Sequence, residues 1–282
     1  MNADERELYM KTLVWIAVAI VAAIPGRADN WQLVWSDEFN GPANTLPDAA
    51  KWTFDIGHGK NGWGNQELEN YTRDPANVSQ DGKGNLVIQA LRMPDGSYTS
   101  GRIKTQGKFN IQYGRIEARI KIPYGQGIWP AFWMLGNDIG SVGWPAGGEI
   151  DIMENIGKEP AMIHGSMHGP GYSGNTPLTS TYKLPSGALF ADDFHVYRVT
   201  WSAEAVVFAV DGNEYYRVTP QSLPAGTKWV YDHPFFLLLN VAVGGRWPGK
   251  PDETSTFPQS MLVDWVRVYQ LKPPSSSSPK AP

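Results

Sequence analysis

The segment Arg115-Ile116-Glu117-Ala118-Arg119-Ile120-Lys121-Ile122 alternates between charged and apolar residues over its whole length. Successive side chains of a β-strand point to opposite faces, so one face of this segment is apolar and the other carries four charges. The alternation predicts an antiparallel strand that is buried on one side only.

Other segments of the chain give strand signals of the same kind. Val206–Asn213 runs into an Asp-Gly turn, and residues 214–218 return from it, which predicts a β-hairpin. Four more strands are predicted at Asn85–Arg92, Phe194–Trp201, Phe235–Val243 and Met261–Leu271.

The composition favours an all-β fold. The chain has 282 residues, of which 41% are hydrophobic and 18% are charged, together with 30 Gly and 22 Pro. Gly and Pro interrupt helices, no 11-residue window has a helical apolar period, and no long repeat is evident. We predict one domain at residues 29–271, a jelly-roll β-sandwich of two packed antiparallel sheets with a concave substrate cleft.

The two ends of the chain differ from this pattern. Met10-Lys11-Thr12, an apolar run at residues 13–24 and Gly26-Arg27-Ala28 resemble a secretory signal peptide at residues 1–28, with Met10 as an alternative start. A membrane anchor is the other reading, but the run is shorter than the ~20 residues that span a bilayer. Residues 272–282 are rich in Pro and Ser and predict a disordered tail.

Charge and cysteine content exclude several functions. The net charge is −4 and no basic run with interleaved aromatics occurs, which argues against a nucleic-acid partner. The chain has no Cys, so disulfides, thiolate metal sites and Cys nucleophiles are excluded. We expect a secreted monomer, extracellular or periplasmic, without a membrane partner after signal cleavage.

The segment Gly147–Gly157, GGEIDIMENIG, places three carboxylates within six residues. A helix would scatter them, whereas a strand puts Glu149 and Asp151 on one face. Glu154 has the wrong parity unless one extra residue is absorbed in a β-bulge, with Met153 or an immediate neighbour as the surplus residue. The segment therefore predicts a bulged strand that presents all three acids together.

This spacing suits glycoside hydrolysis. Four effective strand steps separate the Cα atoms of Glu149 and Glu154 by roughly 13 Å, and side chains that lean together bring the carboxylates to roughly 5–7 Å. That range includes the ~5–5.5 Å typical of retaining glycosidases. The alternative reading is a solvated acidic strand, but three crowded like charges repel one another, and crowding raises the pKa of one carboxyl so that it can act as an acid.

Glu-Ile-Asp-Ile-Met-Glu is similar to the signature of glycoside hydrolase family 16, in the bulged form of the laminarinases, which are endo-β-1,3-glucanases. Matching segments are Trp35–Gly41, Gly62–Tyr71, Trp129–Leu135 and Asp264–Tyr269. The resemblance implies that Glu149 is the nucleophile, that Glu154 is the acid/base and that Asp151 tunes Glu149. No catalytic cofactor is implied.

A polysaccharide site also needs residues that bind sugar. Sugar rings have apolar faces that stack on aromatics, so Trp129, Trp133 and Trp247, the last in a Gly- and Pro-rich loop, are candidate platforms. The resemblance adds further substrate contacts at Asn65, Glu67, Arg102 and His168. The other four histidines, His58, His164, His195 and His233, are expected to be surface or satisfied polar residues.

The resemblance also implies a structural Ca²⁺. Its predicted ligands are backbone carbonyls at Glu38 and Gly41 and the carboxylate of Asp264, which would tie the two chain ends together, and oxygen ligands suit this ion. The alternative for Asp264 is an exposed strand acid.

Two classes of function remain open beside an endo-β-1,3-glucanase. The first is another family-16 activity: a mixed-linkage β-1,3-1,4-glucanase, an agarase, a carrageenase or a transglycosylase. The second is a non-catalytic β-glucan recognition protein, which the intact pair Glu149 and Glu154 disfavours.

Overall fold

Two β-sheets organise the fold in the computed structural model, which describes residues 30–185 and 187–272. The strands are β1 (Trp31–Asp37), β2 (Thr53–Phe54), β3 (Glu69–Tyr71), β4 (Val78–Gln80), β5 (Leu86–Arg92), β6 (Tyr98–Ser100), β7 (Arg102–Lys104), β8 (Gly114–Lys121), β9 (Ile128–Gly136), β10 (Glu149–Glu154), β11 (Met162–His168), β12 (Leu178–Lys183), β13 (His195–Trp201), β14 (Val206–Val210), β15 (Asn213–Val218), β16 (Phe235–Val243) and β17 (Gln259–Leu271).

The first sheet has ten strands. Eight of them follow the order β15-β14-β13-β8-β17-β5-β6-β3, while β1 pairs with β17 and β4 pairs with β5. The second sheet has seven strands in the order β12-β11-β10-β9-β16-β7-β2. Pairing is antiparallel except between β3 and β6, which are parallel. This architecture confirms the predicted all-β jelly-roll sandwich.

One hydrophobic core lies between the two sheets. In β8 the alternating residues Ile116, Ala118 and Ile120 are fully buried, while Arg115 and Arg119 are partly exposed, as the sequence predicts. All nine residues of β16 are buried, because one face of this strand joins the core and the other forms part of the cleft floor. Each buried branched or aromatic side chain contributes roughly 1.5–3 kcal/mol to folding.

Six of the seven predicted strands are confirmed to within two residues at each end, while the strand predicted at Val206–Asn213 ends at Val210, where the hairpin turn through Asp211-Gly212 begins. The central strand β9 was not predicted. It contains Pro130, and proline lacks the N–H that a sheet interior requires. The strand tolerates it because the last pair between β9 and β10 joins Ala131 to Glu154, so Pro130 lies just beyond the end of β10.

Helices are short in the described part of the chain. The α-helix α1 spans Ile139–Val142, a 3₁₀ turn spans Pro220–Ser222, and Gly62–Gln66 forms a wide turn with two residues outside helical geometry. None of the helices in residues 30–185 and 187–272 has the length and hydropathy that a membrane span requires. The predicted signal peptide, and the predicted tail after Lys272, lie outside the described residues.

Candidate active site

The strand that carries the three acids begins at a close approach of backbones. Gly148 has a φ of 73°, in the left-handed region that favours glycine, and a Cβ there would crowd the ring of Phe235. A Cβ at Gly136 would collide with the carbonyl of Gly147. The Gly-Gly pair therefore lets the chain turn tightly into β10, directly before Glu149.

The predicted bulge is present in β10. Against β9, Asp151 pairs with Trp133 while Met153 pairs with the next residue, Phe132. Against β11, a three-residue step along β10 is matched by a two-residue step, so one extra residue is absorbed between Asp151 and Glu154. Met153 is fully buried in the core, and Glu154 returns to the same face as Asp151.

Glu149 lies at the open end of this carboxylate row. Its Oε2 accepts a hydrogen bond of 2.9 Å from Nε1 of Trp144, a half-exposed residue in the loop before β10. Its Oε1 lies 3.8 Å from Nε2 of His168, which stands opposite Glu149 on β11. One oxygen of Glu149 is therefore held by an N–H donor, while the other faces the cleft side chains.

Asp151 is almost completely buried, at 2% exposure. Burial, then the negative charge of Glu149 and a hydrogen bond to it, raise the pKa of Asp151 well above its usual value. Nε2 of His168 is 3.2 Å from Asp151 Oδ2, although this oxygen has no hydrogen bond of acceptable geometry. The contacts favour a protonated Asp151 that shares its proton with Glu149.

Glu154 is the second buried acid. Burial and then the charge of Asp151 raise the pKa of Glu154 well above its usual value, while His168 and a 3.0 Å hydrogen bond from Trp129 Nε1 act in the opposite direction. The balance favours a neutral carboxyl that can donate a proton near neutral pH.

These acids form the floor of a cleft of about 780 Å³. All of the predicted catalytic and substrate residues line it: Asn65, Glu67, Arg102, Trp129, Trp133, Glu149, Asp151, Glu154, His168 and Trp247. The structure thus brings together residues from four strands and two loops. Whether each of them binds sugar stays a prediction.

Aromatic side chains form both walls beside the acids. The ring of Trp247 is 36% exposed and meets Trp129 edge to face at 5.4 Å, which places two platforms next to Glu154. The guanidinium of Arg102 lies 4.6 Å from the ring of Trp63 and 4.8 Å from that of Trp133. Such half-open aromatic faces suit the apolar faces of sugar rings.

The comparisons with known proteins agree with this geometry. The family model of glycosyl hydrolases family 16 matches residues 65–267 of this chain. The chain belongs to glycoside hydrolase family 16. A β-glucanase from Rhodothermus marinus is 39% identical over 281 residues, which cover 94% of this chain and 96% of that protein.

This family-16 chain matches two further relatives, one over part of its length and the other over all of it. The glucan endo-1,3-β-glucosidase A1 of Niallia circulans is 39% identical over 84% of this chain but only 38% of that protein. The laminarinase catalytic domain from Thermotoga maritima is 49% identical in sequence, and its crystal structure matches this one with a TM-score of 0.81. The match covers 86% of this chain and 100% of that domain. The chain is therefore a glycoside hydrolase.

The expectation for His164 was wrong. It lines the family-16 cleft, where its ring meets Trp247 edge to face at 4.8 Å. Its buried Nε2 has no hydrogen-bond partner, so it is neither a surface residue nor a satisfied one. Burial lowers its pKa, which favours the neutral ring. The strand parity that His164 shares with Ser166 and His168 on β11 was the available signal.

The carboxylate of Asp264 is the one side-chain oxygen among the predicted calcium ligands, and Arg119 already binds it at 2.6 Å. At Glu38 and Gly41 the predicted ligands are backbone carbonyls. The side chain of Glu38 pairs instead with two nitrogens of Arg267, at 3.0 and 2.8 Å. Because the Asp264 carboxylate is already neutralised by arginine, the structure adds no support for Ca²⁺ there, and calcium stays a prediction from the resemblance.

The cleft contains a cluster of possible metal ligands, made of Glu149, Asp151 and His168, which also does not fit a metal. Glu149, Asp151 and His168 bring their donor atoms within 4.8 Å of one another. However, the backbone N–H of Gly174 donates to Nδ1 of His168 at 3.2 Å, so the neutral ring carries its proton on Nε2, which faces the carboxylates. A metal-bound histidine has the opposite arrangement, in which the nitrogen away from the metal donates.

Trp144 was not singled out from the sequence, yet it donates directly to Glu149. We expect Trp144→Phe to lower kcat on a glucan roughly 10- to 100-fold, because a hydrogen bond to a charged group contributes about 1.5–3 kcal/mol. Steady-state kinetics measure this. Trp265→Phe, on β17 of the other sheet, is the matched control and should keep wild-type kinetics. A kcat in Trp144→Phe equal to that of the control would contradict the role.

Proposed function

We propose that this family-16 enzyme is a retaining endo-β-1,3-glucanase that hydrolyses internal bonds of laminarin-like glucans. The observation that carries the proposal is the bulged strand, which presents Glu149 and Glu154 to one aromatic-lined cleft. The named relatives include laminarinases and an endo-1,3-β-glucosidase, which supports the choice of linkage.

The reaction proceeds in two displacements. A carboxylate oxygen of Glu149 attacks the anomeric carbon, and the C–O bond to the departing sugar breaks as Glu154 donates its proton to the leaving oxygen. A covalent glycosyl-enzyme results. Glu154, now ionised, then takes a proton from water, whose oxygen displaces Glu149 and restores both carboxyls. The two carboxyl groups supply all of the proton and bond changes, so the chemistry needs no cofactor.

The surroundings divide these roles between the two acids. Glu149 accepts a hydrogen bond from Trp144, which stabilises the ionised form that a nucleophile requires. Glu154 is more deeply buried, so its proton is retained until a leaving oxygen needs it. Asp151 lies between them, where its protonated carboxyl donates a hydrogen bond to Glu149 rather than adding a third negative charge.

Sugar units on either side of the scissile bond occupy the rest of the cleft in this proposal. Trp129, Trp133 and Trp247 provide stacking faces. Asn65, Glu67, Arg102 and His168 offer hydrogen-bonding groups for hydroxyls. The cleft is bounded by loops rather than closed over the acids, which suits the interior of a long polymer more than its end.

The test of this function is hydrolysis of a panel of polysaccharides, followed by reducing-sugar release. We expect laminarin to be the best substrate, lichenan a poorer one, and agarose and carrageenan to be inert. Sulfated carrageenan would need a basic cleft, but of the two arginines among the described residues that line this cleft, Arg102 already pairs with Asp55. Release of short oligosaccharides early in the reaction indicates endo cleavage. Comparable rates on agarose or carrageenan would contradict the proposal.

Two alternatives fit less well. A mixed-linkage glucanase on the same scaffold would prefer lichenan to laminarin in this panel, and a transglycosylase would lengthen oligosaccharides. A non-catalytic glucan-recognition protein has no use for two buried acids with raised pKa values, since both Asp151 and Glu154 lower the stability of the fold at neutral pH.

We further propose that the enzyme is exported as a monomer and acts outside the cytoplasm as a single catalytic domain at residues 29–271. The apolar run at residues 13–24, which is too short to span a bilayer, supports export.

A further inference from the structure

A second buried carboxyl pair lies outside the catalytic strand. Glu69, on β3, has no exposed surface, and Glu67, two residues earlier, is 9% exposed and lines the cleft. The chain before β3 is held against β16, since Leu68 N–H donates to the carbonyl of Val243 at 2.8 Å. The backbone thus fixes both carboxyl groups in one buried place.

The hydrogen-bond partners of this pair leave one oxygen unsatisfied. Glu69 Oε2 accepts from the N–H of Val243 at 2.6 Å, but Glu69 Oε1 has no donor. Both Glu67 oxygens are occupied, Oε1 by Asn65 Nδ2 at 3.1 Å and Oε2 by the Tyr71 hydroxyl at 3.2 Å. A buried acceptor without a donor costs about 1–3 kcal/mol, and a proton on one carboxyl removes that cost.

No cation is available to neutralise the pair. The guanidinium of Arg102 is a cation near this network, 6.0 Å from the ring of Tyr71, but it pairs with Asp55 at 2.9 Å. Within the described residues, no ion pair involves Glu67 or Glu69. Two adjacent buried carboxylates without a cation are a strongly unfavourable arrangement.

The strongest influences on the pKa of Glu69 raise it, and only its hydrogen bonds to backbone N–H groups, those of Val243 and of Glu69 itself, lower it. Burial, then the charge of Glu67 and a hydrogen bond between the two carboxyls, raise the pKa of Glu69 well above its usual value. Tyr71 is neutral, because burial and the same two acids raise its pKa as well. His58 contacts only the backbone carbonyl of Glu69, at 3.0 Å.

We propose that Glu69 is protonated in the working enzyme and donates a hydrogen bond to Glu67, which it thereby holds in place as an acceptor for a sugar hydroxyl. Glu69 is a positioning residue, and the inference rests on the proposed function only where it concerns sugar. The same network reaches a stacking platform: Asn240 donates to the Tyr71 hydroxyl at 3.1 Å and accepts from Trp133 Nε1 at 2.7 Å.

The kinetic test compares two substitutions of Glu69 on laminarin oligosaccharides. Glu69→Leu removes the donor and should raise KM about 10-fold or more, with a much smaller change in kcat. Glu69→Gln supplies an N–H donor of the same length and should rescue KM. Equal KM values for Glu69→Leu and Glu69→Gln, whether raised or unchanged, would overturn the proposal.

The protonation itself is tested without substrate. A native Glu69 proton that the unfolded chain loses above its ordinary pKa of about 4.3 makes wild-type stability decline as pH rises. The Tm of Glu69→Gln minus that of the wild type should therefore grow between pH 5 and pH 8. The infrared spectrum of the wild type minus that of Glu69→Gln should show the carbonyl band of one protonated carboxyl. The bands of the other protonated carboxyls are common to both proteins and cancel.

Glu117→Gln is the matched control, because Glu117 is also a buried glutamate but its Oε2 lies 2.9 Å from Arg115 Nε. Its Tm difference from the wild type should not grow over this pH range, and the infrared band should persist. A flat Tm difference together with no infrared band for Glu69 would overturn the proposal. A wild type inert on every glucan would instead overturn the proposed function, while leaving the proton on Glu69.

Discussion

Glu149→Gln is expected to lower kcat on laminarin by at least about 10⁴-fold while leaving the fold intact. The amide is a poor nucleophile, so no glycosyl-enzyme forms. The fold should persist, because the hydrogen bond that Glu149 accepts from Trp144 can also be accepted by the amide oxygen of glutamine. Kinetics and thermal melting measure the two effects, with Glu117→Gln on the opposite sheet as an active control.

A small anion distinguishes the role of Glu149 from that of Glu154. In Glu149→Ala, azide can attack from the side that the carboxylate vacated, and an activated aryl β-glucoside should then yield the α-glycosyl azide. In the wild type, NMR should show the β-anomer of the product first, as two displacements require. A β-azide from Glu149→Ala, or an α-anomer appearing first, would exclude Glu149 as the nucleophile.

Glu154→Gln is expected to lower kcat on laminarin about 10²- to 10⁴-fold, because the sugar leaving group no longer receives a proton. An aryl glucoside with an acidic phenol needs no such proton, so its first displacement should be slowed far less. The covalent intermediate should accumulate and produce a burst of phenol. Azide added to Glu154→Ala should give the β-glycosyl azide, and an α-azide would contradict the assignment.

The raised pKa of Glu154 gives this substitution a second signature. In the wild type, activity should fall as pH rises through the Glu154 pKa, and this limb should be absent in Glu154→Gln. Stability should depend on the same proton. Between the ordinary glutamate pKa of about 4.3 and the raised value, the native state holds a proton that the unfolded chain has lost, so stability falls with rising pH. Removing the acid should raise Tm by roughly 2–4 °C for each kcal/mol regained.

The strands that could be predicted are those in which one physical requirement dominates. The alternation of β8 follows from burial of one face, and the apolar run of β16 from burial of both. β9 was missed because Pro130 violates the rule for a sheet interior, and only the tertiary position beyond the end of β10 removes the conflict. The short strands β2, β3, β4, β6 and β7 carry too few residues to show a period.

The site followed the same division. The parity of Glu149, Asp151 and Glu154 predicts one acidic face with a bulge, and the pairing with both neighbouring strands confirms that bulge. Trp144 was missed although Gly143-Trp144-Pro145 resembles the segment that singled out Trp247, since both tryptophans precede a proline in a glycine-containing loop. Glu69 could not be predicted, because its significance depends on an absent donor that only the folded chain reveals.

The extra residue that β10 absorbs in its bulge allows the spacing of the proposed catalytic pair, Glu149 and Glu154, to change only by whole residues. Sliding this strand against β9 or β11 would require the extra residue to move with it, so the register resists small slips. Point substitutions can delete an acid or weaken its neighbours, but they cannot gradually lengthen or shorten the gap across which a sugar bond is cut. A lineage that explored another gap would have to gain or lose whole residues, so the stereochemical outcome is inherited as a discrete trait.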